Sequence, residues 1–136
     1  MNIELINENC KPKRSYTTDA GMDCYLNIDG VIEVEPRETV VLPLGFKMEI
    51  PEGYGGIVKA RSSIFKDDIN IDGLIDSDYR GEVCVMVQNN GKENYILAPM
   101  QRICQIVIVK INNETLNFVK SLSDTERGEG GFGSTD

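Results

Sequence analysis

The sequence predicts an all-β domain, and three observations lead there. Large apolar side chains take every second position through Leu44-Gly45-Phe46-Lys47-Met48-Glu49-Ile50, which sets them on one face of an extended chain. Turn-forming groups recur at short intervals: Asp29-Gly30, Glu35-Pro36, Pro51-Glu52-Gly53, Asn89-Asn90-Gly91 and Ala98-Pro99. No stretch sustains a 3.6-residue apolar period through three turns of helix. Many short strands between frequent turns fit a sandwich, a jelly roll or a barrel.

In chain order, Asn2–Ile6 and Val31–Val34 are weak strand candidates, followed by the clear strand Leu44–Ile50 with Lys47 and Glu49 turned outward. Gly55–Lys59 is another weak strand. Ser62–Lys66 is the one short helix expected, with Ser62 or Ser63 placed to cap it. Asn70–Ile75 alternates enough to open a β-hairpin and leaves Asp76 near its end. Val83-Cys84-Val85-Met86-Val87 and Ile106-Val107-Ile108-Val109 are apolar on both parities, as expected of strands covered on both faces. Asn94–Leu97 and Leu116–Val119 are further weak candidates. No repeat or linker divides residues 1–122, which read as one β-rich core.

Residues 123–136 differ in kind. They read SDTERGEGGFGSTD, with Phe132 as the one large apolar residue. Glycine offers no side chain to pack and loses much entropy on ordering, so a flexible C-terminal arm is expected rather than a separate domain. Two readings stand. One is a disordered tail; the other is an arm that orders over a ligand through Arg127, Phe132 and backbone N–H groups.

Composition narrows the function. A chain of 136 residues suits one domain. Its 14 Lys+Arg against 22 Asp+Glu give a net charge of -8, which disfavours nonspecific binding to long nucleic acid. Local arginines can still oppose the overall sign and bind a small anion. No apolar run is long enough to span a bilayer, and the polar start MNIELINENC reads as neither signal peptide nor lipid anchor. The chain has no histidine, and its 4 cysteines are widely spaced. That argues against zinc hydrolase chemistry and against nucleophile–histidine systems. Reduced core cysteines in the cytoplasm or another intracellular compartment are the default reading.

Three polar groups invite chemistry. Gly73-Leu74-Ile75-Asp76-Ser77-Asp78-Tyr79-Arg80-Gly81 is a dense polar cluster in which Asp76 is placed to activate water, hold a hydroxyl or bind a metal. Taken in isolation, an acidic turn with Asp76 or Asp78 bonded to its own backbone is the default reading. Ala60-Arg61-Ser62-Ser63 is either a phosphate cradle at a helix start or a plain helix cap. Gln101-Arg102 reads by default as a solvated loop pair, and Gly21 in Ala20-Gly21-Met22-Asp23 as a turn residue.

Together with Arg127–Thr135, these segments resemble the five ordered motifs of the homotrimeric dUTP nucleotidohydrolases, or dUTPases. The motifs read Ala20-Gly21-Met22-Asp23, Arg61-Ser62-Ser63, Gly73 to Gly81, Gln101-Arg102-Ile103-Cys104-Gln105, and Arg127-Gly128-Glu129-Gly130-Gly131-Phe132-Gly133-Ser134-Thr135. They stand in family order over nearly the whole chain, in wording closest to short viral or phage members. The third and fifth are the specific ones.

The resemblance implies a jelly-roll-like dUTPase fold, a threefold trimer with shared active sites, and hydrolysis of dUTP with magnesium to dUMP and pyrophosphate. It implies an arm that closes over a neighbour's site. Asp76 would orient and deprotonate the attacking water and meet the 3′-hydroxyl, and Tyr79 would lie beneath the deoxyribose and leave no room for a 2′-hydroxyl. The hairpin Asn70–Leu74, including Gly73, would read the uracil edge. Arg61, Ser62, Ser63 and Gln101 would form the phosphate network. Asp23 would hold Mg2+ through water, while Phe132 would cover the uracil. Arg127, Gly133, Ser134 and Thr135 would gather the terminal phosphate.

Ala60, Met100, Cys24 and Asp136 depart from the commonest family wording without removing a catalytic group. Asp136 adds negative charge near the implied phosphate cap. The nearest alternative, a dCTP deaminase, needs a glutamate where this chain has Met86, and a thioether cannot relay protons. A catalytically idle trimer that senses nucleotides or binds protein is the alternative of a different class.

Overall fold

A computed structural model describes residues 1–135, so Asp136 lies outside the described residues. In chain order the strands are β1 (Asn2–Leu5), β2 (Gly21–Tyr25), β3 (Ile32–Val34), β4 (Thr39–Pro43), β5 (Phe46–Glu49) and β6 (Tyr54–Ala60). After the single α-helix, α1 (Ser62–Lys66), come β7 (Ile69–Asp72), β8 (Leu74–Ile75), β9 (Cys84–Asn89), β10 (Tyr95–Leu97) and β11 (Arg102–Lys110). Every strand pairing is antiparallel.

The strands form a jelly-roll-like all-β body. A four-stranded sheet runs β2-β11-β6-β8, a three-stranded sheet runs β4-β9-β7, and β1-β5 and β10-β3 are ribbons. Their inner faces share one core, in which Leu26, Leu44, Phe46, Leu97, Ile103 and Ile106 are fully buried. Among the described residues no helix is long and apolar enough to cross a membrane.

Alternation predicts β5 well: Phe46 and Met48 are buried, and Glu49 is exposed. The strand starts only after Gly45, which has φ +78 and where a Cβ would stand 2.9 Å from the Cys10 sulfur. Other expectations need correction. β9 is not covered on both faces, because Val85 and Val87 point inward while Cys84 and Met86 are exposed. Met86 pairs with the exposed Val41 of β4, which leaves an uncovered apolar strip on one chain.

Leu116–Val119 forms no strand; Leu116, Phe118 and Val119 are exposed and pair with nothing in the sheets. Two strands escape the alternation argument. β4 is one, and β2 is the other, where Gly21 lies within a strand rather than at a turn. Helix α1 is capped by Arg61 with no side-chain bond, so neither Ser62 nor Ser63 is the capping side chain. All 4 cysteines are free thiols, but Cys84 is exposed, unlike the buried Cys10, Cys24 and Cys104.

Candidate active site

Three neighbouring strands build the first part of the site. Asp23 on β2 pairs directly with Gln105 on β11, so their side chains leave the same face of the sheet. On the far side of β11, Gln105 pairs with Lys59 of β6, and Arg61 follows immediately as that strand ends. The Asp23 side chain is 7% exposed and is met from three directions. Arg102 Nη1 donates to Oδ2 at 2.9 Å, Gln105 Nε2 donates to Oδ1 at 3.2 Å, and Arg61 Nε lies 3.6 Å from Oδ1 as an ion pair.

Two guanidinium groups against one carboxylate leave this cluster net positive, which suits an anion. Gly21 makes room for it. A Cβ at Gly21 would stand 2.9 Å from both Cβ and Oε1 of Gln105, so the Gln105 side chain lies where any larger residue would push. Beside the cluster, Ser62 and Asn70 share an open cavity of about 530 Å³ with Lys59, Phe65 and Asp72.

Sequence reasoning missed Arg102 and Gln105 as partners of Asp23. The residue it picked from that motif, Gln101, turns its Oε1 onto the Ala98 N–H at 3.0 Å and so closes the preceding turn. The missing signal was strand register: only pairing with β2 reveals which motif side chains share a face with Asp23.

The second part is built where the chain passes from β7 to β8. The expected β-hairpin does not form, because β7 pairs with β9 in one sheet and β8 with β6 in another, so the chain crosses between sheets at Gly73. Gly73 joins the two strands and lies against β6, where a Cβ would come within 2.8 Å of Val58 Cγ2. Beyond β8, Asp76 is exposed at a recess of about 180 Å³ lined by Leu74, Ile75, Asp76, Tyr79, Val83 and Cys84. A tight turn holds Asp76 and Tyr79 together, with the Tyr79 N–H donating to the Asp76 carbonyl at 3.2 Å. Arg80 braces that turn from outside, donating from Nη1 to the Ser77 carbonyl at 2.7 Å. Burial and the nearby Glu82 charge push the Cys84 thiol up.

The third part is the arm. Arg127 Nε donates to its own Gly130 carbonyl at 2.8 Å, and the Ser134 N–H donates to the Gly131 carbonyl at 3.1 Å. Thr135 lines a hollow with Arg127 and Ser134, Gly133 takes φ +72, and Phe132 is fully exposed. Among the described residues no hydrogen bond or ion pair ties residues 112–135 to the core.

One chain keeps these parts apart. β8 pairs with β6 so that Ile75 faces Gly56, which sets Asp76 at one end of β6. Arg61 leaves the opposite end, roughly 17–20 Å away at the rise of a β-strand.

The model of the dUTPase family matches residues 8–136. The chain belongs to the dUTPase family. Its relatives include the deoxyuridine 5'-triphosphate nucleotidohydrolase of Syntrophotalea carbinolica, 40% identical over 120 residues that cover 85% of this chain and 82% of that protein. The enzyme of the same name from Finegoldia magna is 36% identical over 141 residues, 99% of each chain. Among solved structures, the dUTPase of Staphylococcus bacteriophage 80alpha with dUPNHPP superposes with a TM-score of 0.90 at 28% identity, covering 99% of this chain and 97% of that one. A mutant dUTPase from phage phi11 of S. aureus, described with a structural Mg(II) ion, reaches a TM-score of 0.79 at 26% identity, covering 88% and 96%.

Proposed function

We propose that the chain hydrolyses dUTP to dUMP and pyrophosphate as a homotrimer whose active sites combine parts of different subunits. The observation that carries this reading is Asp76, an exposed carboxylate at the mouth of a recess bordered by the Tyr79 ring. A carboxylate so placed can orient a water and take its proton as the water oxygen attacks the α-phosphorus. The bond from that phosphorus to the bridging oxygen breaks, and pyrophosphate leaves with the electron pair. Tyr79 lies beneath the deoxyribose, and the segment Asn70–Leu74 offers Asn70 and backbone groups to the uracil edge.

The positive cluster of Arg61 and Arg102 receives the phosphates, with Ser62 and Ser63 beside it. Such transfers are helped mainly by positioning and by neutralising charge. The separation of Asp76 from Arg61 along β6 supports a site assembled from more than one copy. So do the uncovered Val41 and Met86 and the exposed Leu116, Phe118 and Leu122. The arm, residues 123–136, closes such a site, with Phe132 over the base and Arg127, Gly133, Ser134 and Thr135 toward the terminal phosphate. The core, residues 1–122, supplies everything else.

Magnesium fits this site as a passenger of the substrate phosphates. A carboxylate accepts at about four lone-pair positions. The Asp23 carboxylate has, among the described residues, hydrogen bonds from Arg102 and Gln105 only, which leaves it able to accept from a metal-bound water. Among the described residues no group of three or more carboxylate or thiolate side chains gathers to hold the ion without substrate. When bound, magnesium supplies charge neutralisation at the phosphates.

The direct test is pyrophosphate release from dUTP by the purified protein and by Asp76→Asn. The amide keeps the size of the side chain and loses its basicity, so turnover should fall about 10²–10⁴-fold with unchanged melting. Turnover within a factor of two of the parent would remove Asp76 as the base. Binding of dUTP without pyrophosphate release by the parent would favour a nucleotide sensor. Sedimentation equilibrium should return three times 15.1 kDa.

A further inference from the structure

The Tyr79 ring is held from two sides by residues to which no role in the reaction has been given. Its hydroxyl donates to the backbone carbonyl of Glu82 at 2.9 Å. Its face lies over Gly81 so closely that a Cβ there would stand 2.6 Å from Cζ and 2.9 Å from Cε2, and would also collide with the hydroxyl oxygen. Gly81 has no positive φ, so the left-handed backbone that excludes other residues is not what keeps a side chain out. The three nearest atoms that a side chain at this position would meet all belong to Tyr79.

The carbonyl that receives the hydroxyl is itself fixed. Glu82 Oε1 accepts from the Gly45 N–H at 3.0 Å and from Asn27 Nδ2 at 3.2 Å, and Asn27 in turn accepts from Asn7 at 2.9 Å. The next residue is strapped on both sides: the Val83 N–H donates to the Phe46 carbonyl, and the Leu44 N–H donates to the Val83 carbonyl, each at 2.9 Å. The ring therefore rests on a glycine and is pinned to a carbonyl that the core cannot release without breaking several hydrogen bonds.

We infer that Gly81 and Glu82 are positioning residues that fix the height of the Tyr79 ring in its recess and thereby set how strictly the enzyme refuses a ribonucleotide. The inference rests on the reading of Tyr79 as the surface beneath the sugar. One hydroxyl is a small difference to detect, and a soft wall yields to it. A ring that cannot withdraw turns the extra oxygen of UTP into a clash or an unsatisfied polar group, either of which penalises the transition state. A Cβ at residue 81 would displace the ring, and loss of the phenolic hydroxyl would free it to tilt.

The test is the ratio of kcat/KM for dUTP to that for UTP in the full-length protein, measured on Gly81→Ala, Tyr79→Phe and Tyr79→Ala with melting and oligomeric state checked in parallel. Tyr79→Phe should narrow the ratio by roughly three- to tenfold, the worth of one hydrogen bond. Gly81→Ala should narrow it at least as far while its melting stays near the parent's. Tyr79→Ala should nearly abolish discrimination. If Tyr79→Ala keeps the parent ratio, the reading of Tyr79 itself falls, and this inference falls with it. If Tyr79→Ala loses discrimination while Tyr79→Phe keeps the ratio within twofold, the positioning role is overturned and the reading of Tyr79 survives. A Gly81→Ala protein slowed equally on both substrates would overturn the role of Gly81, because a merely structural glycine lowers activity without changing choice. Should Gly81→Ala fail to fold, Tyr79→Phe decides alone.

Discussion

At Asp23, Arg102 and Gln105 of β11 and Arg61 at the end of β6 converge on one carboxylate, and Arg102 donates at 2.9 Å. In the arm, among the described residues Arg127 has only its own Gly130 carbonyl for a partner, and Phe132 is fully exposed. Both regions carry arginines suited to phosphate, yet one is assembled by the fold and the other is not. The difference lies in what each region rests on. Asp23 and Gln105 stand on adjacent hydrogen-bonded strands and Arg61 directly follows a third, so ordering them was settled when the sheet formed. The arm has four glycines in six residues, Gly128, Gly130, Gly131 and Gly133, and nothing apolar beneath it to offset the entropy of holding still. A pre-built cluster binds without further ordering, whereas a free arm is ordered at the moment of binding and gives gating in return.

This comparison assigns stability to one region and activity to the other, and three experiments can break it. The largest effect belongs to the arm. Truncation after Glu126 removes Arg127 and Phe132 together, and a charge-assisted hydrogen bond alone contributes about 1.5–3 kcal/mol. We expect kcat/KM for dUTP to fall by roughly 10² or more, while thermal melting stays within about 2 °C of the parent. A truncated protein that melts well below the parent would show that the arm supports the fold, and the contrast would be lost.

Asp23→Ala is the converse change. It leaves Arg61 and Arg102 facing each other without the carboxylate between them. Removing one partner of a fully buried pair costs about 3–5 kcal/mol, and the partial exposure of both arginines cuts that to about 1–3 kcal/mol. Melting should drop by roughly 3–12 °C, and dUTP hydrolysis should fall as Arg61 loses its anchor. Asp23→Asn keeps an acceptor for Arg102 and should lie between. Unchanged melting in Asp23→Ala would mean that the cluster contributes nothing to the fold.

The smallest effect sharpens the comparison within the arm itself. Phe132→Ala keeps the groups assigned to phosphate and loses only the ring. A loss of roughly three- to tenfold in kcat/KM is expected, the worth of an aromatic contact. Phe132→Trp keeps a flat face and should stay within about twofold of the parent. Equal losses in both variants would argue against stacking and for a role of residue 132 in the path of the backbone.

Much of this protein is local, and what is local was legible. Alternation with a period of two placed Phe46 and Met48 in the core, because the pleat of a strand dictates it. The short helix after Arg61 lies where the residue order puts it, whereas the alternation of Asn70–Ile75 suggested a hairpin and the structure has a crossing between two sheets there. The ordered motifs led to the dUTPase family, and the family model matches residues 8–136. What tertiary structure alone decided are the facts that depend on which strands meet. β2 was hidden by Gly21 and Asp23, which look like turn residues until β11 pairs with them and Gln105 fills the space over Gly21. Arg102 and Gln105 gained their partner, and Gln101 was drawn into a turn, through register across three strands. The exposure of Met86 on β9 and the lack of any strand at Leu116–Val119 followed from what the chain has available to cover them. Sequence pattern fixes the two faces of a strand, but only packing determines which neighbour, if any, lies against each.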